Sequence, residues 1–228
     1  MKKIILNLSL LFSLLIVNAQ DDVSNSTTNV SFGIKAGLNL ADLSGEDIAE
    51  SSSKLGFHIG GVAEIMISDK FSIQPELIFS QQGTESTEKE SGTFEGGSFS
   101  IEEETILKLN YLNLPVLAKF YVVDGFSLEA GPQVGFLLSA DLEYDYRETV
   151  TFDGETITDT ESAKATVKNE FKGIDFGLGF GANFKLNMGL NFGLRYNLGL
   201  TSIAEDDEDG EAFDVKNNVL QFSVGYSF

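Results

Sequence analysis

Apolar residues alternate with small or polar residues, with a period of two, in segment after segment of this chain. In the first segment the apolar positions are Val30, Phe32, Ile34, Ala36, Leu38 and Leu40, and the positions between them hold Ser31, Gly33, Lys35, Gly37 and Asn39. Because successive side chains of a β-strand point to opposite faces, this period predicts a strand with one apolar face and one small or polar face.

The alternation predicts eight strands, near residues 30–40, 55–67, 71–79, 105–121, 126–138, 174–184, 190–200 and 220–228. Three connections, 68–70, 122–125 and 185–188, are short, whereas 41–53, 83–104, 141–170 and about 202–214 are long and polar. Short turns at one end and long loops at the other are typical of an all-β, eight-stranded antiparallel up-and-down transmembrane β-barrel. Both termini are then expected at the short-turn end.

Two details of the alternation leave the strand bounds open. In residues 105–121 the apolar phase changes near Tyr111, which predicts either a bulge near 111–113 or an upper part that extends above the membrane. Alternation also persists at Leu142, Tyr144 and Tyr146 within a long connection. We therefore expect strands four, five and six to continue beyond the bilayer as hairpin extensions.

The polar face of the strands distinguishes a membrane barrel from a soluble one such as a lipocalin, whose apolar face points inward. A water-exposed face on a soluble acidic protein should carry many charges. Here that face is mostly Gly, Asn, Ser and Gln, and the opposite face is nearly free of charge, as lipid contact requires. The pattern favours a barrel with a polar interior in lipid.

Seven charged residues fall on the predicted interior face. They are Lys35, Glu64, Glu76, Lys119, Glu129, Asp175 and Arg195. Since charges removed from water must be paired, we predict an ion-pair network in the lumen, with Arg195 bound to one or more of the three glutamates.

The N-terminus has the pattern of an export signal. Lys2 and Lys3 precede an apolar run over residues 4–17, and Ala19 offers a cleavage position. We therefore divide the chain into a signal peptide (1–19), a polar linker (20–29) and an outer-membrane β-barrel domain (30–228). The absence of cysteine excludes a lipoprotein anchor, disulfides and thiolate metal sites.

Acidic residues are concentrated in the long connections. The chain has 35 acidic and 15 basic residues, and the four long connections hold 27 of the former and four of the latter. Such a negative surface repels nucleic acid and attracts divalent cations or a basic partner. The alternative is that the acids keep loops solvated.

Two features could carry chemistry. Glu205, Asp207 and Asp209 match the start of an EF-hand loop, but Lys216 replaces the twelfth-position glutamate. His58, the single histidine, lies in mid-strand on the interior face, where a hydrogen-bonding role is expected rather than catalysis. We predict no enzyme activity, no metal site and no cofactor.

Five short motifs resemble the PorT-like outer-membrane β-barrel family of Bacteroidota: FGIKAGLN at 32–39, QPEL at 74–77, YLNLP at 111–115, EAGP at 129–132 and LRYNLG at 194–199. The terminal Phe228, with Tyr226 and Val224 on the same face, also resembles the signal read by the outer-membrane barrel assembly machinery. The resemblance implies a small barrel in the cell outer membrane, embedded in its lipid, with that machinery as a partner during insertion.

These observations lead to a functional expectation: a monomeric structural or interaction protein with acidic extracellular loops and no catalytic activity. Two alternatives stay open. The first is a narrow porin-like channel for small solutes, since eight strands leave little room for water and disfavour wide-pore diffusion. A membrane-embedded lipid-modifying enzyme rests on His58 alone.

Overall fold

The computed structural model describes residues 30–45, 52–206 and 213–228. The predicted signal peptide and linker lie outside these residues. Within them the strands are β1 (Val30–Ser44), β2 (Ser52–Ser68), β3 (Phe71–Phe94), β4 (Gly97–Val123), β5 (Phe126–Phe152), β6 (Glu155–Thr166), β7 (Ile174–Lys185), β8 (Leu190–Gly199) and β9 (Lys216–Ser227). A short 3-10 helix spans Lys168–Glu170. The described residues contain no helix of the length and apolarity that crossing a bilayer requires.

Eight of the strands close into a ring. The pairing runs from β4 through β3, β2, β1, β9, β8 and β7 to β5, and β5 pairs back onto β4. Every pair in the ring is antiparallel. The turns at residues 69–70, 124–125 and 186–189 lie at one end, which we call the proximal end, together with both ends of the ring's chain. The predicted fold class is confirmed.

The ninth strand, β6, lies outside the ring and pairs only with the far half of β5. Together with the extended parts of β3, β4 and β5 it forms a four-stranded sheet beyond the opposite, distal end of the barrel. This distal sheet comprises residues 84–94, 97–108, 141–152 and 155–166. The expected extensions therefore exist, but they belong to the third, fourth and fifth strands of the ring. The sixth, β7, is preceded by β6 as a separate strand.

Large apolar side chains cover the outside of the ring. Phe32, Ile34 and Leu38 of β1, for example, are 54%, 58% and 53% exposed, whereas the neighbouring Asn39 is fully buried. The same arrangement recurs on β7, where Phe176, Leu178 and Phe180 face outward. Since exposed apolar surface of this extent is stable only against lipid, a soluble barrel with an apolar interior is excluded.

Of the two alternatives for the phase change near Tyr111, a bulge in β4 at 111–113 is not observed, and β4 does extend beyond the barrel, to Gly97. Leu107, Leu109 and Tyr111 point into the barrel like the polar residues below them, so β4 keeps one inner face throughout. The register shift lies on β5 instead, where Leu138 has no partner between the pairs Tyr111–Leu137 and Asn110–Ser139. The sequence pattern changed because the contents of the lumen change from polar to apolar, not because β4 reverses its faces.

The lipid face can be tested midway along β8. Leu194 points outward and is 46% exposed, whereas a Cβ added to its inward neighbour Gly193 would meet only ordinary contacts, the nearest at 3.4 Å. We expect Leu194→Arg to cost about 2–4 kcal/mol or to prevent insertion. Gly193→Ala should fold like the wild type. Urea unfolding in liposomes measures both changes, and greater damage from the inward substitution would mean that the faces are inverted.

Candidate functional site

The proximal part of the lumen is organised around the Glu76 carboxylate. Arg195 donates two hydrogen bonds to it, from Nη1 and Nη2, each 2.8 Å long, and Lys35 Nζ lies 3.2 Å from Oε2. The Arg195 Nε donates a third bond to Glu129, at 2.7 Å. The four residues come from β1, β3, β5 and β8, so the cluster joins strands on opposite sides of the ring.

A second carboxylate, Glu64, lies closer to the proximal end. Lys119 Nζ lies 3.2 Å and Lys185 Nζ 3.8 Å from it, and the Ser72 and Tyr121 hydroxyls donate to it. The Gln74 amide connects the two clusters. Its oxygen accepts from Lys119 at 3.0 Å and its nitrogen donates to Glu76 at 2.6 Å.

Six of the seven charged residues singled out in the sequence therefore meet in one network. Asp175 does not. It lies near the distal end of β7, opposite Gly135, and accepts a 3.4 Å hydrogen bond from Thr201 without an ion pair to any described residue. Residues on the interior face do not all come into contact, and Asp175 and Arg195 lie at different heights along the barrel axis. Gln74, Ser72, Tyr121 and Lys185 were missed, although the first two lay on the polar face.

Above the ion pairs, His58 reaches across one strand. Its Nδ1 lies 2.8 Å from Asn39 Oδ1 and its Nε2 2.9 Å from Ser223 Oγ. His58 and Ser223 lie on β2 and β9, on either side of Gly37 of β1, which pairs with both. A Cβ on Gly37 would stand 2.7 Å from the imidazole and 1.9 Å from the Phe222 carbonyl oxygen. The glycine therefore provides the space through which the ring passes.

His58 belongs to a middle layer of the lumen, which is completed by amide and hydroxyl side chains. Asn39 donates to Ser80 at 3.0 Å, Gln82 donates to the same hydroxyl at 2.9 Å, and Gln221 donates to Asn39 at 3.1 Å. Asn217 donates to Gln82. All of these side chains except Ser223 are buried, so the layer is a connected polar network without formal charge.

An apolar cluster closes the distal end of the lumen. Its buried members are Leu43, Leu109, Tyr111, Leu137, Ala140 and Ile203. Leu107, Val167, Phe171 and Val215 pack against them. Below this cluster, the cavity beside the ion pairs has a volume of about 20 Å³. A space of that size holds about one water molecule.

The two faces of the distal sheet differ in charge. The face that continues the lumen carries seven acids, Glu88, Glu90, Glu103, Glu148, Glu155, Asp159 and Glu161, and no base. It also carries the aromatic residues Phe94, Phe99, Tyr144, Tyr146 and Phe152. We call it the acidic-aromatic face. All four basic residues of the sheet, Lys89, Lys108, Arg147 and Lys164, lie on the other face.

The acids of that other face are partly neutralised. Lys89 lies 2.6 Å from Glu102, and Glu143 binds both Lys108 and Lys164. The hydrogen bonds from these two lysines hold the pKa of Glu143 below its usual value. On the acidic-aromatic face, partial removal from water and then the Glu103 carboxylate raise the pKa of Tyr144.

The remaining sequence predictions occupy defined places. Val224, Tyr226 and Phe228 lie on the outer face at the end of β9, 50%, 45% and 75% exposed, and the rings of the last two meet edge to face at 5.4 Å. Most of the EF-hand-like segment, including Asp207 and Asp209, lies outside the described residues. Among the residues that the structure does describe, no group of three potential metal ligands comes together.

Comparison with known proteins identifies the family. The family model for the outer membrane protein beta-barrel domain matches residues 18–205. The chain belongs to this family. It is therefore an outer-membrane β-barrel protein. No curated protein matches the chain in sequence.

The solved structures that match this protein share little of its sequence. Ail, the attachment invasion locus protein of Yersinia pestis, is 12% identical with a TM-score of 0.44, covering 87% of this chain and 98% of that one. Neisserial surface protein A is 13% identical with a TM-score of 0.43, covering 88% and 99%. CarO of Acinetobacter baumannii is 11% identical with a TM-score of 0.34, covering 85% and 97%.

The hierarchy of the ion pairs can be tested by unfolding. Glu76 binds two cations, Lys35 and Arg195, whereas among the described residues Glu129 forms an ion pair with Arg195 alone. Breaking a buried pair leaves an uncompensated charge, so we expect Glu76→Gln to lower the free energy of unfolding by about 3–5 kcal/mol. Glu129→Gln should cost less, because Arg195 keeps its bidentate partner. Urea titrations in liposomes measure both, and equal losses would contradict the central place of Glu76.

The reach of His58 over Gly37 gives a second test. Gly37→Ala should overpack the site and cost about 1–3 kcal/mol, since the added carbon meets backbone as well as the imidazole. Gly193→Ala, also in the lumen but without close contacts, is the matched control. Histidine NMR should show the loss of the His58–Ser223 hydrogen bond in the first variant alone. An unchanged imidazole signal in Gly37→Ala would refute this account of the middle layer.

Proposed function

We propose that this outer-membrane barrel is a non-conducting interaction protein whose distal sheet projects outside the cell. The observation that supports it most directly is the contrast between the two parts of the molecule. The lumen is filled by three successive layers of side chains, and the distal sheet leaves large side chains such as Phe152 and Ile157 exposed, at 51% and 72%. Binding chemistry is therefore available outside the ring rather than within it.

The filled lumen argues against the porin alternative. Side chains from the eight strands nearly fill a barrel of this size. Here the ion pairs around Glu76 tie opposite walls together, and the cluster around Tyr111 closes the distal end. A passage for solutes would require both to separate, which means exposing buried charges and removing apolar contacts at once.

The enzyme alternative has geometry in its favour but not access. Asn39, His58 and Ser223 lie in the order of an orienting residue, a base and a nucleophile, with an amide in place of a carboxylate and with hydrogen bonds of 2.8 Å and 2.9 Å. His58, however, is 1% exposed, and the cavity that Ser223 lines holds about one water molecule. A lipid carbonyl cannot reach the hydroxyl, so we assign the three residues to stabilising the interior.

The remaining parts of the proposal concern biogenesis and subfamily. The ordered motifs from FGIKAGLN to LRYNLG support a place among the PorT-like proteins of Bacteroidota. The exposed terminal residues Tyr226 and Phe228 suit recognition by the barrel assembly machinery. We propose export by an N-terminal signal peptide and function as a monomer.

Electrical recording tests the central claim. The purified full chain, inserted into planar bilayers in concentrated KCl, should give no steady conductance steps, because the lumen is closed at two levels. A general diffusion porin inserted in the same way is the positive control. Regular ohmic steps from the wild-type protein would overturn the proposal and favour a narrow channel.

Enzymatic activity is checked separately. The wild type and His58→Ala should both leave phospholipid and lipopolysaccharide unchanged, and Ser223 should not react with a fluorophosphonate probe. Labelling of Ser223 that disappears in His58→Ala would establish a catalytic site instead.

A further inference from the structure

We propose that the free edge of β6 and the acidic-aromatic face beside it bind a polypeptide strand with lysine or arginine at alternate positions. This inference rests on the proposed function and names the kind of partner. It follows from three features of the distal sheet: where its charges lie, which backbone groups are unpaired, and which side chains border the edge.

Charge is the first feature. The acidic-aromatic face has seven acids and no base, and none of these acids forms an ion pair with a described residue. On the opposite face the lysines already bind Glu102 and Glu143. The acidic-aromatic face therefore has a net charge of −7, whereas the opposite face, with six acids and four bases, has a net charge of −2, so a cationic partner is attracted more strongly to the former. A second copy of the chain would bring like charges together, which disfavours self-association through this face.

The second feature is an unpaired strand edge. All twelve residues of β6 are exposed, and among the described strands β6 pairs only with β5. The two-residue turn at Asp153 and Gly154, both with positive φ, makes Phe152 and Glu155 the first hydrogen-bonded pair. Alternation along an antiparallel ladder then directs the Thr160 N–H away from β5. This N–H donates a 3.0 Å hydrogen bond to the Asp159 carboxylate instead.

A long, exposed edge of this kind is a template for an added strand. It carries no proline, and Lys164 is its one basic residue. The backbone of the partner would supply hydrogen bonds along the edge. Its side chains would alternate between the two faces of the enlarged sheet.

The third feature is the row of side chains along the edge. On the acidic-aromatic face β6 presents Glu155, Ile157, Asp159, Glu161, Ala163 and Ala165 in that order. On the other face it presents mostly threonine. Opposite charges directly across from each other stabilise a strand pair. The best partner therefore places basic residues opposite the three acids, an apolar residue opposite Ile157, and β-branched residues on its other face.

The test is the binding of a fluorescent twelve-residue peptide that alternates lysine with valine or threonine, with valine in place of the one lysine that would lie opposite Ile157. The full-length protein is held in a neutral detergent, so that the peptide does not bind the micelle. Fluorescence anisotropy should show saturable binding that weakens as salt rises from about 0.05 M to 0.5 M, because salt screens exposed charges. A peptide of the same composition with its lysines in one block should bind at least about fivefold more weakly.

Paired variants separate the face from the net charge. Asp159→Asn with Glu161→Gln should weaken binding about fivefold to tenfold, since two cross-strand charge pairs are lost. Glu85→Gln with Glu104→Gln removes the same charge from the opposite face and should change the affinity less than twofold. Equal effects of the two double variants would overturn the proposed face.

The strand edge needs its own variant. Thr160→Pro removes an N–H that does not bond β5, so the protein should still fold, as heat-dependent electrophoretic mobility will show. Binding of the alternating peptide should fall at least about tenfold, and hydrogen exchange should show protection of β6 amides only in the unsubstituted protein. Unchanged binding by Thr160→Pro, or equal binding of the block peptide, would mean simple charge attraction and refute strand addition.

The same preparation distinguishes this inference from the proposed function. Absence of peptide binding with a closed lumen would refute the β6 site and leave a non-conducting barrel. Conductance with intact peptide binding would refute the non-conducting role and leave the β6 site. Dimer formation through β6 in sedimentation experiments would identify a second copy as the occupant and overturn the proposal.

Discussion

A hydrocarbon bilayer offers no hydrogen-bond partner to a backbone amide, and the rest of this structure depends on that constraint. A chain that enters lipid as strands must close into a ring, because an open edge would leave a row of polar groups unpaired. Closure with eight strands turns one face of every strand toward a narrow interior. The apolar face then meets lipid, and the polar groups of the other face must hydrogen-bond or pair with one another inside the ring.

The interior meets this requirement in layers. Charges are confined to the proximal part, where Arg195 is held by Glu76 and Glu129 and where Gln74 links them to Lys119. Neutral amides follow, and then the apolar cluster around Tyr111. The ion pairs join strands on opposite sides of the ring, and the amide layer joins four neighbouring strands, β3, β2, β1 and β9. The side chains that fill the lumen therefore also fasten its walls together.

Beyond the bilayer the constraint is released and water becomes the solvent. There β6 can remain unpaired on one side, and the distal sheet can keep seven acids on one face while Glu143 and Glu102 are bound on the other. The uneven distribution is a tertiary property. The charges of strands far apart in sequence fall on one face only because β3, β4, β5 and β6 pair in one register.

The period of two in the sequence by itself predicted the eight strands of the ring, since the side-chain period of a strand is a local property that no distant contact alters. The small and uncharged residues of the polar face indicated which face meets lipid. The period did not predict β6, whose residues fell within a long connection. It also placed Glu76, Glu129 and Arg195 on one face. Height and register could not be read in this way, because they depend on which strands pair and by how much each is offset. Only the tertiary structure therefore separated Asp175 from the ion pairs, moved the bulge from β4 to Leu138 of β5, and set His58 across Gly37 from Ser223.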